Sequence, residues 1–170
     1  FLKLVQQKNT IEPSADTAYY LYILTGEQKY IDQTIELSTD PLKKAKLYKG
    51  LANELKSKRS YGKARQYYME ALKLNPADGS PHLAIANMYA ASANSCGDTN
   101  FNKRAVFWLA AIEAEKAGRV DGRLKKTAAQ TAASYRAKAP NKTEIFNCTC
   151  AGEVIKIGCW IGRSVTVPKG

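Results

Sequence analysis

The feature that most limits what this chain can fold into is a set of residues that recurs 34 positions apart. Tyr48, Leu51, Ala52 and Leu55 are followed by Ala64, Tyr68 and Ala71, and then by Pro76. Apolar residues at spacings of three and four share one face of a helix. Small and large residues alternate on that face, which lets two antiparallel helices cross closely. Ala52, Ala64 and Ala71 permit the approach, and Tyr48, Leu51, Leu55 and Tyr68 fill the space around it. Moving 34 residues on lands on His82, Ile85, Ala86 and Tyr89, so the first helix of a second unit stands in register. Its partner helix arrives late: Ala110, Ala114, Ala117 and Gly122 stand 46 residues after Ala64, Tyr68, Ala71 and Pro76. The insertion of twelve residues falls around 91–100, a small and polar run that predicts a loop carrying Cys96. Ala128, Thr131, Ala132 and Tyr135 form a third first helix, and Ala132 again lies 46 residues beyond Ala86. Pro140 ends that helix.

Around this frame the spacing predicts an all-α chain of helical hairpins over 1–139. A divergent unit spans 14–39, a clear one 41–76, an inserted-loop unit 79–122 and a final helix 123–139. The divergent unit is a helix pair, 17–24 and 30–37, around Gly26. Beyond Pro140 the composition changes. A short helical turn near 143–146 precedes two β-branched and aromatic runs, 154–160 and 164–167, read as a hairpin around Gly162. Because a lone hairpin is marginal in water, the segment 140–170 is expected to pack on the last helices as a cap. The chain opens on Phe1, and 1–5 is too short for a secretion signal, so a processed chain or a fragment with repeats removed is expected.

With 45% hydrophobic residues among 170, the chain can bury a core. No apolar run approaches the roughly 18–20 residues of a bilayer span. Four cysteines, Cys96, Cys148, Cys150 and Cys159, allow three pairings, and disulfides would imply an oxidising compartment. Buried free thiols are the alternative. A zinc site lacks its paired spacings, since one C-x-C, two single cysteines and the distant His82 do not supply them. Cys148 and Cys150 on an extended strand would point the same way but lie at the far end of the Cα range for a bridge, so a bond between them needs a turn.

On these residues the chain resembles the tetratricopeptide repeat family over about 40–139, and more loosely from 14. More narrowly it looks like bacterial, envelope-associated members of that family. In these a Ser-Cys-Gly loop, here Ser95-Cys96-Gly97, precedes a helix with Ala105-Val106-Phe107-Trp108, and the chain closes on Gly158-Cys159-Trp160-Ile161. The resemblance implies a superhelix of repeats, an extracytoplasmic location in the periplasm or cell envelope, and a role in interaction. It also implies a Cys96–Cys159 bond; the additional Cys148 and Cys150 depart from the pattern and leave the pairing open.

An enzyme is not expected, nor is a cofactor or a metal. His82 occupies the aromatic position of a repeat and is expected to be a half-buried packing residue with no nucleophile at a telling distance. The 15 acids are scattered over solvent faces rather than paired. Tyr19, Tyr20 and Tyr22 read as packing before platform. The net charge is +11, and it is concentrated: 41–73 carries ten Lys/Arg against two acids, and 119–142 seven against one. Such stripes fit a solvated surface or an acidic protein partner. The alternative is nucleic acid on basic helix faces, although neither a recognition helix nor an aromatic-interleaved platform accompanies them. An anionic membrane surface is a further candidate.

In stacked repeats of this family the first helices line a concave groove. Here that face carries Lys46, Lys49, Asn53 and Lys56, then Leu83 and Asn87, then Lys126 and Gln130. Lys49, Asn53 and Lys126 resemble part of the clamp by which some family members hold a peptide's C-terminal carboxylates, while Ala84 and Gln130 depart from it. The expected function is a non-catalytic scaffold whose groove takes a protein or peptide segment through ammonium and amide donors.

Overall fold

The computed structural model describes residues 1–169, which are mostly helical with one small antiparallel sheet. In chain order the helices are α1 (Leu2–Ile11), α2 (Ala15–Thr25), α3 (Gln28–Leu37), α4 (Pro41–Ser57), α5 (Tyr61–Leu74) and α6 (Ser80–Ala91). Then come α7 (Ala93–Cys96), α8 (Asn100–Val120), a 3-10 turn (Gly122–Leu124), α9 (Lys125–Lys138) and α10 (Lys142–Cys148). Strands β1 (Val154–Ile157) and β2 (Arg163–Thr166) close the chain.

Local chemistry sets the ends. Ser14, Asp40 and Thr99 accept from the first free backbone N–H groups of α2, α4 and α8, and Pro41 supplies a helical φ at the first position of α4. Asn141 and Glu144 cap α10 reciprocally. Gly26 ends α2 in the left-handed region, at φ 69°, where a side chain would be strained.

Consecutive helices pair: α2 lies on α3, α4 on α5, α6 on α8 and α8 on α9. Alanines make the close contacts. Ala52 and Ala64 sit with Tyr68 and Ile85 in the main core, and Ala86, Ala111, Ala114 and Ala132 form a separate cluster between α6, α8 and α9. Ala52, Ala64, Ala86, Ala110 and Ala114 are fully buried. The alanine positions that define the 34- and 46-residue offsets thus lie at helix–helix contacts.

Two local expectations are corrected. The inserted segment is not wholly loop: α7 forms one turn inside it, and α8 begins ten residues before Ala110, at Asn100. Gly97, between them, is required by space, because a Cβ there would enter the backbone of Asn102 and Lys103. The first strand does not run through 154–160 but ends at Ile157, paired with Arg163, and residues 158–162 form the connecting loop. The chain leaves the ladder there because Cys159 is bonded to Cys96 and Trp160 stacks on Tyr61 and Tyr89.

The cap is fastened to the helices at several points. Trp160 Nε1 donates to Ser92 Oγ at 2.9 Å, and Arg65 donates to the Ile161 carbonyl at 2.7 Å while its guanidinium lies over the Trp160 ring. A second core cluster joins Ala105 and Trp108 of α8 to Ala139, Ile145, Cys150, Val165 and Val167. No helix among the described residues is long and apolar enough to cross a membrane.

Candidate interaction face

Polar side chains link α2, α4, α6 and α9, the first helices of successive pairs. Tyr22 of α2 donates to Glu54 of α4 at 2.8 Å. Lys49 of α4 forms an ion pair with Asp78 at 2.5 Å and donates to Ser80, the first residue of α6, at 3.2 Å. Asn87 of α6 accepts from the Tyr135 hydroxyl of α9. Within the α4–α5 pair, Asn53 accepts from the Tyr68 hydroxyl at 2.5 Å.

Burial and charge act against each other at these links. Burial raises the Asp78 carboxyl, but hydrogen bonds from Lys49 and Ser80 outweigh it and hold the group below its ordinary range. Glu54 is lowered by Lys58 and then by Tyr22, and Tyr22 is pushed up to about 12 by burial and by that carboxylate. Burial alone pushes Tyr68 up to about 12, so its hydroxyl keeps its proton and stays a donor to Asn53.

The eight residues assigned to a groove fall into three groups. Lys46, Asn53, Asn87, Lys126 and Gln130 are exposed, and Lys56 is half-buried. Lys49 is already committed to Asp78, and Leu83 packs against the alanine cluster of α6, α8 and α9. Asn53 and Asn87 stand 34 residues apart, and each offers Oδ1 to a tyrosine hydroxyl, from α5 of its own pair for Asn53 and from α9 for Asn87, which leaves the amide N–H₂ as the donor. Tyr19 and Tyr22 line a small cleft with Lys46, Leu47 and Glu54 between α2 and α4, and Tyr19 is 42% exposed, so these rings both pack and face solvent.

His82 is half-buried, as expected of a packing residue, and Nδ1–H donates to Glu113 Oε1 at 2.7 Å. The Glu113 side chain is 10% exposed and also accepts from Lys116 at 2.8 Å. Burial raises its carboxyl, but His82 and Lys116 together hold it below its ordinary value. Sequence reasoning missed Glu113, because nothing local links it to a residue 31 positions earlier. Arg65 was missed likewise. Among the described residues no three His, Cys, Asp or Glu side chains gather as a metal site would require.

The basic stripes are partly neutralised. Lys58 and Lys73 pair with Glu54 and Glu70, Arg119 and Arg136 share Glu115, and Arg123 binds Asp121. Both cysteine pairs are closed. Cys96–Cys159 has its Cα atoms 5.5 Å apart, and Cys148–Cys150 has them 5.1 Å apart. The turn that the second bridge needs is supplied by Thr149 at φ 52° and ψ 29°. Compared with family models, curated proteins and solved structures, the chain matches none.

Proposed function

We propose that this chain is a non-catalytic interaction module of the tetratricopeptide kind, resembling envelope-associated bacterial members, and that it takes an extended acidic segment of a partner protein across α4, α6 and α9. The observation that carries the reading is the repeated pair Asn53 and Asn87. Each is exposed, and each has its carbonyl oxygen held by a tyrosine, so the amide N–H₂ is oriented before a ligand arrives. An ordered amide loses less entropy on binding a peptide carbonyl or carboxylate than a free one. Lys46, Lys56 and Lys126 have no carboxylate partner among the described residues; Lys46 and Lys56 stand on α4 with Asn53, and Lys126 stands on α9, whose Tyr135 holds Asn87. Lys49 is left out of the clamp, because Asp78 neutralises it.

An extracytoplasmic setting is part of the proposal. Two closed cysteine pairs fit an oxidising compartment. The test is capture of partners from an envelope extract, with mass spectrometry, at low and high salt, by the parent and by Asn53→Ala/Asn87→Ala. The expected result is a captured protein that the variant loses at both salt concentrations. Capture that survives in the variant and vanishes with salt would move binding to the basic outer faces. A steep salt dependence with DNA or RNA would favour the nucleic-acid alternative.

A further inference from the structure

The two disulfides differ in what they hold. Cys96–Cys159 ties α7 to the hairpin loop across 63 residues, and Cys96 lies in the main core. Cys148–Cys150 encloses a single residue, Thr149. A ring that short removes little freedom from the unfolded chain, so it adds little to the stability of the fold. It also joins two residues across the exposed Thr149, a β-branched residue in the left-handed region that such residues rarely adopt. The cap does not depend on it, because the other bridge, Trp160 and Arg65 fasten the same segment.

The two sulfurs of the short bridge face different surroundings. Cys150 is buried with Ile145, Val165 and Val167. Cys148 is exposed at the end of α10, and lines an open cleft of about 770 Å³ with Phe101, Lys103, Arg104 and Asn147. Arg104 is bound to Glu144, whereas Lys103 has no carboxylate partner among the described residues and favours the approach of a thiolate. Phe146, in the same last turn, is 80% exposed, an apolar side chain on which a polypeptide can rest.

We propose that Cys148–Cys150 is a thiol–disulfide exchange site for cysteine thiols of a polypeptide, separate from the groove. A substrate thiolate attacks Sγ of Cys148, forming a mixed disulfide; the Cys148–Cys150 bond breaks and its electron pair leaves on Cys150, which takes up a proton. A second thiolate of the substrate attacks the substrate sulfur of the mixed disulfide and expels Cys148. The substrate dithiol is oxidised by two electrons to a disulfide, and the protein disulfide becomes a dithiol. One protein molecule thus serves one substrate dithiol, and a small-molecule disulfide such as oxidised glutathione restores it. The sulfur of the exposed Cys148 is attacked and that of the buried Cys150 leaves, a division that sets which bond forms.

The experiment equilibrates the whole chain in glutathione buffers of graded composition, quenches with acid, alkylates and maps both pairs by mass spectrometry. Cys148–Cys150 is expected to be half-reduced at a ratio of squared thiol to disulfide at least about tenfold lower than Cys96–Cys159, a separation of about 30 mV. Joint reduction, or reduction of the short bridge last, overturns the proposal. In a second arm a reduced, unstructured peptide with two cysteines and apolar flanks is mixed with the oxidised protein. Peptide disulfide is expected in equimolar yield, at a rate per thiolate about tenfold above that of glutathione, and slower with Phe146→Ser. Cys148→Ser/Cys150→Ser, checked for native circular dichroism, is expected to form none. Equal rates for peptide and glutathione, or oxidation by the double variant, would remove the assignment.

Discussion

Between α4 and α9 the contacts are made by alanines, whereas the cap over 140–169 is held by a disulfide, an indole and a guanidinium. In the helices, Ala52, Ala64, Ala86, Ala111 and Ala132 let backbones approach, and the stabilisation is spread over many small burials. In the cap, a two-stranded hairpin with one buried face relies on a few strong attachments: Cys159 to Cys96, Trp160 to Ser92 and Arg65 to the Ile161 carbonyl. The difference follows from surface and volume. A stack of helix pairs can bury its own apolar faces, but two four-residue strands cannot.

The largest expected effect tests whether the cap hangs on one bond. Cys96→Ser/Cys159→Ser is expected to lose about 4 kcal/mol, from the chain entropy of a long closed loop, and Cys148→Ser/Cys150→Ser about 1 kcal/mol or less. Urea unfolding followed by Trp fluorescence reads both, and equal losses would break the contrast between the two bridges. A smaller effect is expected from the helices. Ala86→Leu forces a branched side chain into the contact with Ala111, Ala114 and Ala132, and is expected to cost about 2 kcal/mol by thermal unfolding. A neutral outcome would mean that α6, α8 and α9 are not closely packed there.

The smallest effect is a pH dependence. The Glu113 carboxyl is held below its ordinary value of 4.5, so its contribution is full above that pH and is lost as pH falls through the lowered folded value. We expect about 1 kcal/mol of stability to disappear on the acid side, and Glu113→Gln to flatten that limb. An unchanged acid limb in the variant would show that the His82 and Lys116 hydrogen bonds contribute nothing net.

What was legible in the chain, and what was not, divides along the same line. Ala52, Ala86 and Ala132 could be aligned because a helix repeats every few residues, and helix contacts repeat with the unit. Asn53 and Asn87 stand 34 residues apart in the same register. The state of Lys49 could not be read this way: Asp78, 29 residues on, removes its charge from use. The His82–Glu113 pair and Arg65 with Ile161, 96 residues apart, left no local trace. The end of β1 was misplaced for a related reason, since β-branched residues extend a strand in sequence whereas a distant cysteine pulls the chain out of it.

The sequence by itself determined most of the helices, their breaks, the alanine contacts and the position of the inserted segment, because helix periodicity, capping and backbone preferences act over a few residues. Tertiary structure alone decided that Cys148 bonds Cys150 through a left-handed Thr149, that Lys49 is neutralised, and that the tyrosines hold Asn53 and Asn87 by their carbonyls. Those outcomes depend on where side chains from separate helices meet, and the distance between such groups is not a property of either segment.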